Sequence, residues 1–169
     1  MSVSFKKNGR SLWATAFACL ALGATFFVFH LYASPYPALA AFRGRAVSTR
    51  IYDRGGRLLQ ITALADGVRR EQFALGDLPS SLPAAVIEAE DRRFFSHHGV
   101  DTGAVVRAAA QNLFSGRRVS GASTITMQLA RIIRPASSRG LLVKAREALD
   151  ALRLEARLSK EEILELYLN

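Results

Sequence analysis

Glu90 and Asp91 stand side by side in the stretch Ala89–Asp101, with Phe94 and Phe95 just behind them and His97, His98 and Gly99 closing the run. Upstream, Ser80-Ser81-Leu82-Pro83 reads as a helix start, with Ser at the cap and Pro in the first turn. Val86, Ile87 and Ala89 continue an apolar stripe, which puts Glu88, Glu90 and Asp91 near the helix C-terminus. The macrodipole is negative there and disfavours carboxylates. A dense break of a local rule marks a candidate site, and clustered titratable groups are the material of such sites. The plainer reading is a solvated acidic end neutralised by Arg92 and Arg93.

The elements around this stretch are legible. The chain has 169 residues, half of them hydrophobic, which is room for one domain plus an appendage. Lys and Arg number 23 against 14 Asp and Glu, a net charge of +9. Such a balance favours nucleic acid, anionic lipid or phosphate-bearing substrates and cannot choose among them. Cys19 is the one cysteine, so an intrachain disulfide and a cysteine zinc cluster are excluded. His30, His97 and His98 are too few and too badly spaced for a histidine metal site.

Residues 1–11 form a short basic tail with Lys6, Lys7 and Arg10, and 12–33 contain no charge. That run is long enough to cross a bilayer, which takes roughly 20 apolar residues. The basic flank predicts a cytoplasmic N-terminus with the remainder exported. A cleaved signal peptide is the rival, since Ala38-Leu39-Ala40 fits a cleavage pattern. The apolar run, however, exceeds the roughly 7–15 residues of a signal core, which favours a retained anchor. Residues 34–46 read as a linker, stiffened by Ser34-Pro35-Tyr36-Pro37.

From residue 47 a folded domain is expected. Its β segment covers 47–73: strands at 47–52 and 57–62 around the turn Asp53-Arg54-Gly55-Gly56, and a third at 68–73. Residues 78–169 read as helical. Asp101 or Thr102 caps a helix running through Phe114 and stopped by Gly116. Ser123 caps another, with Ile125, Leu129 and Ile132 on one face and Pro135 at its end. Leu141, Ala145, Ala148 and Leu152 carry a long amphipathic helix. Ser159 and Glu162 form a capping box for the last one, with Ile163, Leu164, Tyr167 and Leu168 facing inward. The sequence runs out at Asn169 inside that helix, and reads as the N-terminal fragment of a longer protein.

Four ordered motifs then carry a resemblance. Glu90-Asp91, Phe94, His97 and Gly99 form the first. Gly121-Ala122-Ser123-Thr124-Ile125-Thr126-Met127-Gln128 is the second, Lys144 with Glu147 a partial third, and Lys160, Ile163, Tyr167 and Asn169 the fourth. Behind a membrane anchor, this order resembles the bacterial peptidoglycan glycosyltransferases, family 51, the transglycosylase domain of class A penicillin-binding proteins. The resemblance covers roughly residue 47 to the end. Met127, the following Leu129-Ala130-Arg131 and the Ala65-Asp66-Gly67 segment look most like the penicillin-binding protein 1C branch. Ala122 stands where many members have Gly, and Val143 replaces the Arg of the third motif, with Arg146 as the available substitute. The fifth motif, an Arg-Arg pair, lies beyond Asn169, and a chain lacking it need not be active in isolation.

The resemblance implies a mainly α-helical, lysozyme-like domain with a small β-hairpin segment behind one transmembrane helix. It implies an inverting hexosyltransferase that polymerises lipid II into glycan strands and releases undecaprenyl pyrophosphate. Glu90 would be the general base and Glu147 the second catalytic acid, on the donor side. Asp91, Ser123, Thr124, Gln128, Arg131, Lys144 and Lys160 would contact sugar or pyrophosphate. Phe94, His97, Gly99, Tyr167 and Asn169 would be structural residues near the site. No resident cofactor is implied, although Mg²⁺ or Mn²⁺ at the pyrophosphate is compatible with the chemistry. The implied partners are lipid II, the growing strand, the membrane, a transpeptidase domain in the full-length chain and other cell wall synthesis proteins, with no nucleic acid. The implied location is the bacterial inner membrane, single-pass, with the catalytic domain on the periplasmic or extracellular side. Two other readings stay open: a membrane-anchored lytic enzyme acting on the same polymer, and a non-enzymatic anchor binding anionic polymers.

Overall fold

The charge-free run at the N-terminus folds as one helix, α1 (Asn8–Ala33). Trp13, Phe17, Leu20, Phe26 and Phe29 are all exposed on it, so it is apolar around its circumference. The hydroxyls of Thr15 and Thr25 donate back to the Leu12 and Ala21 carbonyls, so both threonines of the run are satisfied within the helix. By length and composition α1 can cross a membrane. The computed structural model describes residues 8–116, 121–136, 138 and 140–169, in two units that divide after Pro35.

The second unit, from Tyr36, is mainly α-helical with one two-stranded sheet. It begins with a correction. The stretch expected to be a linker contains α2 (Pro37–Arg43), whose Leu39 and Phe42 are buried. Pro37 opens it, since its missing N–H is one that a helix start leaves unpaired anyway. An apolar pair at this spacing has a helical face to bury.

Strands β1 (Arg50–Tyr52) and β2 (Leu58–Ile61) form an antiparallel hairpin, pairing Arg50 with Ile61 and Ile51 with Gln60, with an irregularity before Tyr52. The Asp53 carboxylate closes the turn by accepting from the backbone N–H of Gly55 (2.9 Å) and Arg57 (2.8 Å). The third strand expected at 68–73 does not form. Arg70 N–H donates to the Ser48 hydroxyl rather than to a ladder carbonyl, and the Phe73 backbone is taken at both groups by the Asn169 side chain (2.8 and 2.9 Å). The Arg70 carbonyl does accept from Ser48 N–H at 2.7 Å, but side chains take the Arg70 N–H and both Phe73 groups, and the pairing does not extend into a ladder.

The remaining helices are α3 (Ser81–Glu90), α4 (Thr102–Ser115), α5 (Ile125–Ile133), α6 (Leu141–Glu155) and α7 (Lys160–Leu168). Two caps match expectation. Asp101 accepts from Ala104 N–H at 2.9 Å, and Gly116 ends α4 at φ +61°, a left-handed position that favours glycine. That backbone hydrogen bond is the largest influence holding the Asp101 carboxyl below the usual carboxylate range. The Ser159–Glu162 capping box is also present. Two caps are corrected. Ser80 has helical backbone angles and makes no capping bond, and α5 is capped by Thr124, not Ser123.

Helix α5 is the hub: α6, α7 and α2 all pack on it. Its Ile125 and Leu129 are fully buried with Phe94, Leu154 and Ile163, whereas Ile132, expected on the same face, is half exposed. Burial of each such side chain contributes about 1.5–3 kcal/mol. The face of α6 is also corrected. Leu141 is exposed, and the buried face runs through Glu147, Asp150, Ala151 and Leu154. Two carboxylates on a buried face need partners. Lys144 lies 2.8 Å from Glu147 and Arg134 lies 2.9 Å from Asp150.

Candidate active site

Helix α3 ends at Glu90, with Asp91 as its C-cap. The two adjacent acids meet opposite fates. Glu90 is exposed, and its Oε2 accepts from Gln128 Nε2 at 2.8 Å. Asp91 is buried. Its carboxylate accepts from His97 Nε2 at 3.0 Å and from the backbone N–H of Ile125, the first residue of α5, also at 3.0 Å. Asp91 therefore satisfies one of the unpaired N–H groups at the start of α5, where a negative charge is favoured. Asp91, a candidate substrate contact or a support for Glu90 on the sequence, here joins the first motif to the second.

A second tie links the same motifs. The Thr124 hydroxyl donates to the Gly99 carbonyl at 2.6 Å while accepting from Met127 N–H. Gly99 has φ +87°, and a Cβ there would meet the Ala151 backbone at 3.0 Å. Glycine is required on both counts, since this loop runs hard against α6.

Gln128 connects the acid to the last helix. Its Oε1 accepts from the Tyr167 hydroxyl at 3.1 Å, which fixes the amide with its NH₂ toward Glu90. Burial, followed by the charge of Glu90, pushes the Tyr167 phenol up. Among the described residues no arginine neutralises Glu90: Arg92 pairs with Glu88 and Arg93 leans on Asp101. The plainer reading of an acidic end cancelled by its neighbours does not describe this carboxylate.

The expected cationic contacts divide. Arg131 is exposed and has no partner among the described residues. Lys144 is partly exposed and pairs with the buried Glu147. Lys160 turns inward, 2.7 Å from Glu155 and 4.4 Å from the centre of the Phe94 ring. A lysine held this way braces the site. Ser123 is half-buried and Asn169 is occupied with Phe73. Phe94 is core, whereas Phe95 is exposed.

Glu155 went unnoticed in the sequence. Its Oε1 accepts from both Thr126 (2.7 Å) and Lys160, closing a buried knot between α5, α6 and the start of α7. No local spacing signals it, because Thr126 is 29 residues away along the chain. No direct contact joins Glu90 to Glu147 among the described residues; each is carried by an element tied to α5. Among the described residues no three His, Cys, Asp or Glu side chains cluster so as to hold a metal ion.

Comparison with known proteins gives the family. The family model described as Transglycosylase matches residues 56–169. Penicillin-binding protein 1A of Escherichia coli K12 is 40% identical over 158 residues, 91% of this chain and 18% of that protein. The protein of the same name from Pseudomonas aeruginosa is 39% identical over 143 residues, covering 83% of the chain and 17% of the relative. That from Neisseria gonorrhoeae is 50% identical over 101 residues, 60% of the chain and 13% of the relative. These relatives carry the 1A name, where Met127 and the Ala65-Asp66-Gly67 segment had suggested the 1C branch. The chain spans less than a fifth of the length of the curated relatives it matches.

Proposed function

The chain belongs to the transglycosylase family, and from that premise we propose that it forms the glycan-polymerising part of a peptidoglycan synthase. The substrate in this reading is lipid II, added to a growing strand with loss of undecaprenyl pyrophosphate. The observation that carries it is Glu90: an exposed carboxylate at a helix end, aimed by Gln128 and without an arginine partner among the described residues.

The chemistry needs a base for a sugar hydroxyl. Glu90 takes the proton of the acceptor 4-hydroxyl as that oxygen bonds to the anomeric carbon of the donor. The carbon–oxygen bond to the pyrophosphate breaks on the opposite face, which inverts the anomeric configuration. Negative charge develops on the leaving pyrophosphate, and fixed cations stabilise it. Arg131 and Lys144 are the candidates; Glu147 holds Lys144 in place and so acts on the donor side. Ser123, half-buried at the start of α5, is the remaining polar contact for sugar or phosphate. A divalent cation is a proposal carried by the pyrophosphate alone.

In this reading α1 anchors the chain once in the bacterial inner membrane, with residues 36–169 on the periplasmic side, where both lipid-tethered substrates present their sugars. A transpeptidase domain follows in the full-length protein, as the name penicillin-binding protein of the relatives suggests, and other cell wall synthesis proteins are its partners. The experiment is to give the full-length protein lipid II in one arm and finished peptidoglycan in the other, and to measure strand length. Lengthening from lipid II is expected. Shortening of finished strands without polymerisation would instead favour a lytic enzyme on the same polymer.

A further inference from the structure

We infer that the cleft between α2, the segment after the hairpin and the end of α7 is an anion site for a phosphate group. The inference is independent of the chemistry at Glu90. The walls of this open cleft include Phe42, Arg43, Arg45, Arg70, Glu71 and Asn169. Three guanidinium groups line one opening, and the carboxylates nearby are already committed. Glu71 belongs to Arg50, Glu162 to Arg43, and the half-exposed Asp66 to Arg70.

Arg45 has no carboxylate among the described residues. Its Nε donates to the Phe42 carbonyl at 3.0 Å, and its guanidinium stacks 3.4 Å from the centre of the Phe42 ring. Stacking fixes the plane and leaves both Nη groups without hydrogen bonds among the described residues. Arg70 is held alongside by the Ala46 carbonyl. Burial, with the charge of Arg70 added to it, pushes the Arg45 guanidinium down from its usual range. Arginine does not discharge by losing its proton, and since Arg70 already has Asp66, Arg45 is the fork left to take an anion. A rigid, stacked fork with free Nη donors suits a phosphate oxyanion, which accepts parallel N–H bonds.

The phosphate has two chemical sources. Arg43 follows the last residue of α1 by ten positions in the sequence, so an anionic lipid headgroup is one and a soluble phosphate is the other. The test uses the full chain in nanodiscs of phosphatidylcholine, with ¹⁵N-labelled arginine and the Arg45 Nε–H resonance as readout. Inorganic phosphate at constant ionic strength is expected to move that resonance saturably, with chloride as the inert control. Arg45→Gln is expected to weaken phosphate-dependent thermal stabilisation by about tenfold in apparent affinity, the loss of one charge-assisted contact, while Arg57→Gln on the hairpin leaves it unchanged. If phosphatidylglycerol nanodiscs shift the resonance before phosphate is added, the headgroup is the ligand. If only added phosphate shifts it, the ligand is soluble. A response that fails to saturate, equals that to chloride, and is indifferent to anionic lipid would overturn the site.

Discussion

Glu90→Gln in the full-length protein is expected to slow lipid II polymerisation by about 10²–10⁴-fold, the usual contribution of a positioned proton acceptor. Its folding transition should stay within about 0.5 kcal/mol of the parent, as for other exposed positions. The structure explains the separation of the two readouts. Glu90 lies at the exposed end of α3, and its hydrogen bond from Gln128 Nε2 can be accepted equally by an amide oxygen. Shape and the Gln128–Tyr167 link survive, and only the capacity to take a proton goes. Lipid II binding, measured by retention on the inactive variant, should persist. A variant that polymerises at the parental rate would remove Glu90 from the chemistry and leave a non-enzymatic anchor as the better account.

Asp91→Ala should behave in the opposite way, although the residue is the next one along. Its carboxylate is 5% exposed and serves two buried donors, His97 Nε2 and Ile125 N–H. Losing it strands both groups, each at about 1–3 kcal/mol, so stability should fall by about 2–5 kcal/mol. Thermal unfolding should drop by roughly 10 °C or more, and activity should fall with the folded fraction. Asp91→Asn keeps an oxygen for Ile125 N–H and should lose less. If Asp91→Ala melted like the parent while activity vanished, Asp91 would be a substrate contact, as the sequence suggests, and its bridging role would be wrong.

This contrast between neighbours shows how much was legible in the sequence. Signals that act within one turn of chain were read correctly: the Asp101 cap, the Gly116 stop and the Ser159–Glu162 box each need only their own few residues. Signals settled by distant partners were misread. Thr124 outcompetes Ser123 as the cap of α5 because its hydroxyl also reaches the Gly99 carbonyl, 25 residues away. The segment 68–73 has strand-like composition, but Ser48 and Asn169 take its backbone groups. The apolar stripe expected on α6 gave way to a face with two acids, because Lys144 and Arg134 stand opposite them. Residues 34–46 read as a linker since Leu39 and Phe42 gave too short an apolar pattern to announce that α2 joins the core. The first and second motifs were legible as a resemblance in residue type and spacing, but the donors that hold Asp91, His97 and Ile125 N–H, are brought to it by the fold.

The central claim is that the first and second motifs make one site through the contact of Glu90 with Gln128. A double-mutant cycle on full-length protein tests it most directly, with initial rates of lipid II polymerisation for Glu90→Asp, Gln128→Ala and the pair. The shorter acid retains enough activity to measure. The account predicts non-additive losses, with a coupling of about 0.5–3 kcal/mol between residues in hydrogen-bond contact. Losses that simply multiply would contradict it, and would leave Gln128 as an ordinary polar residue on the surface of α5.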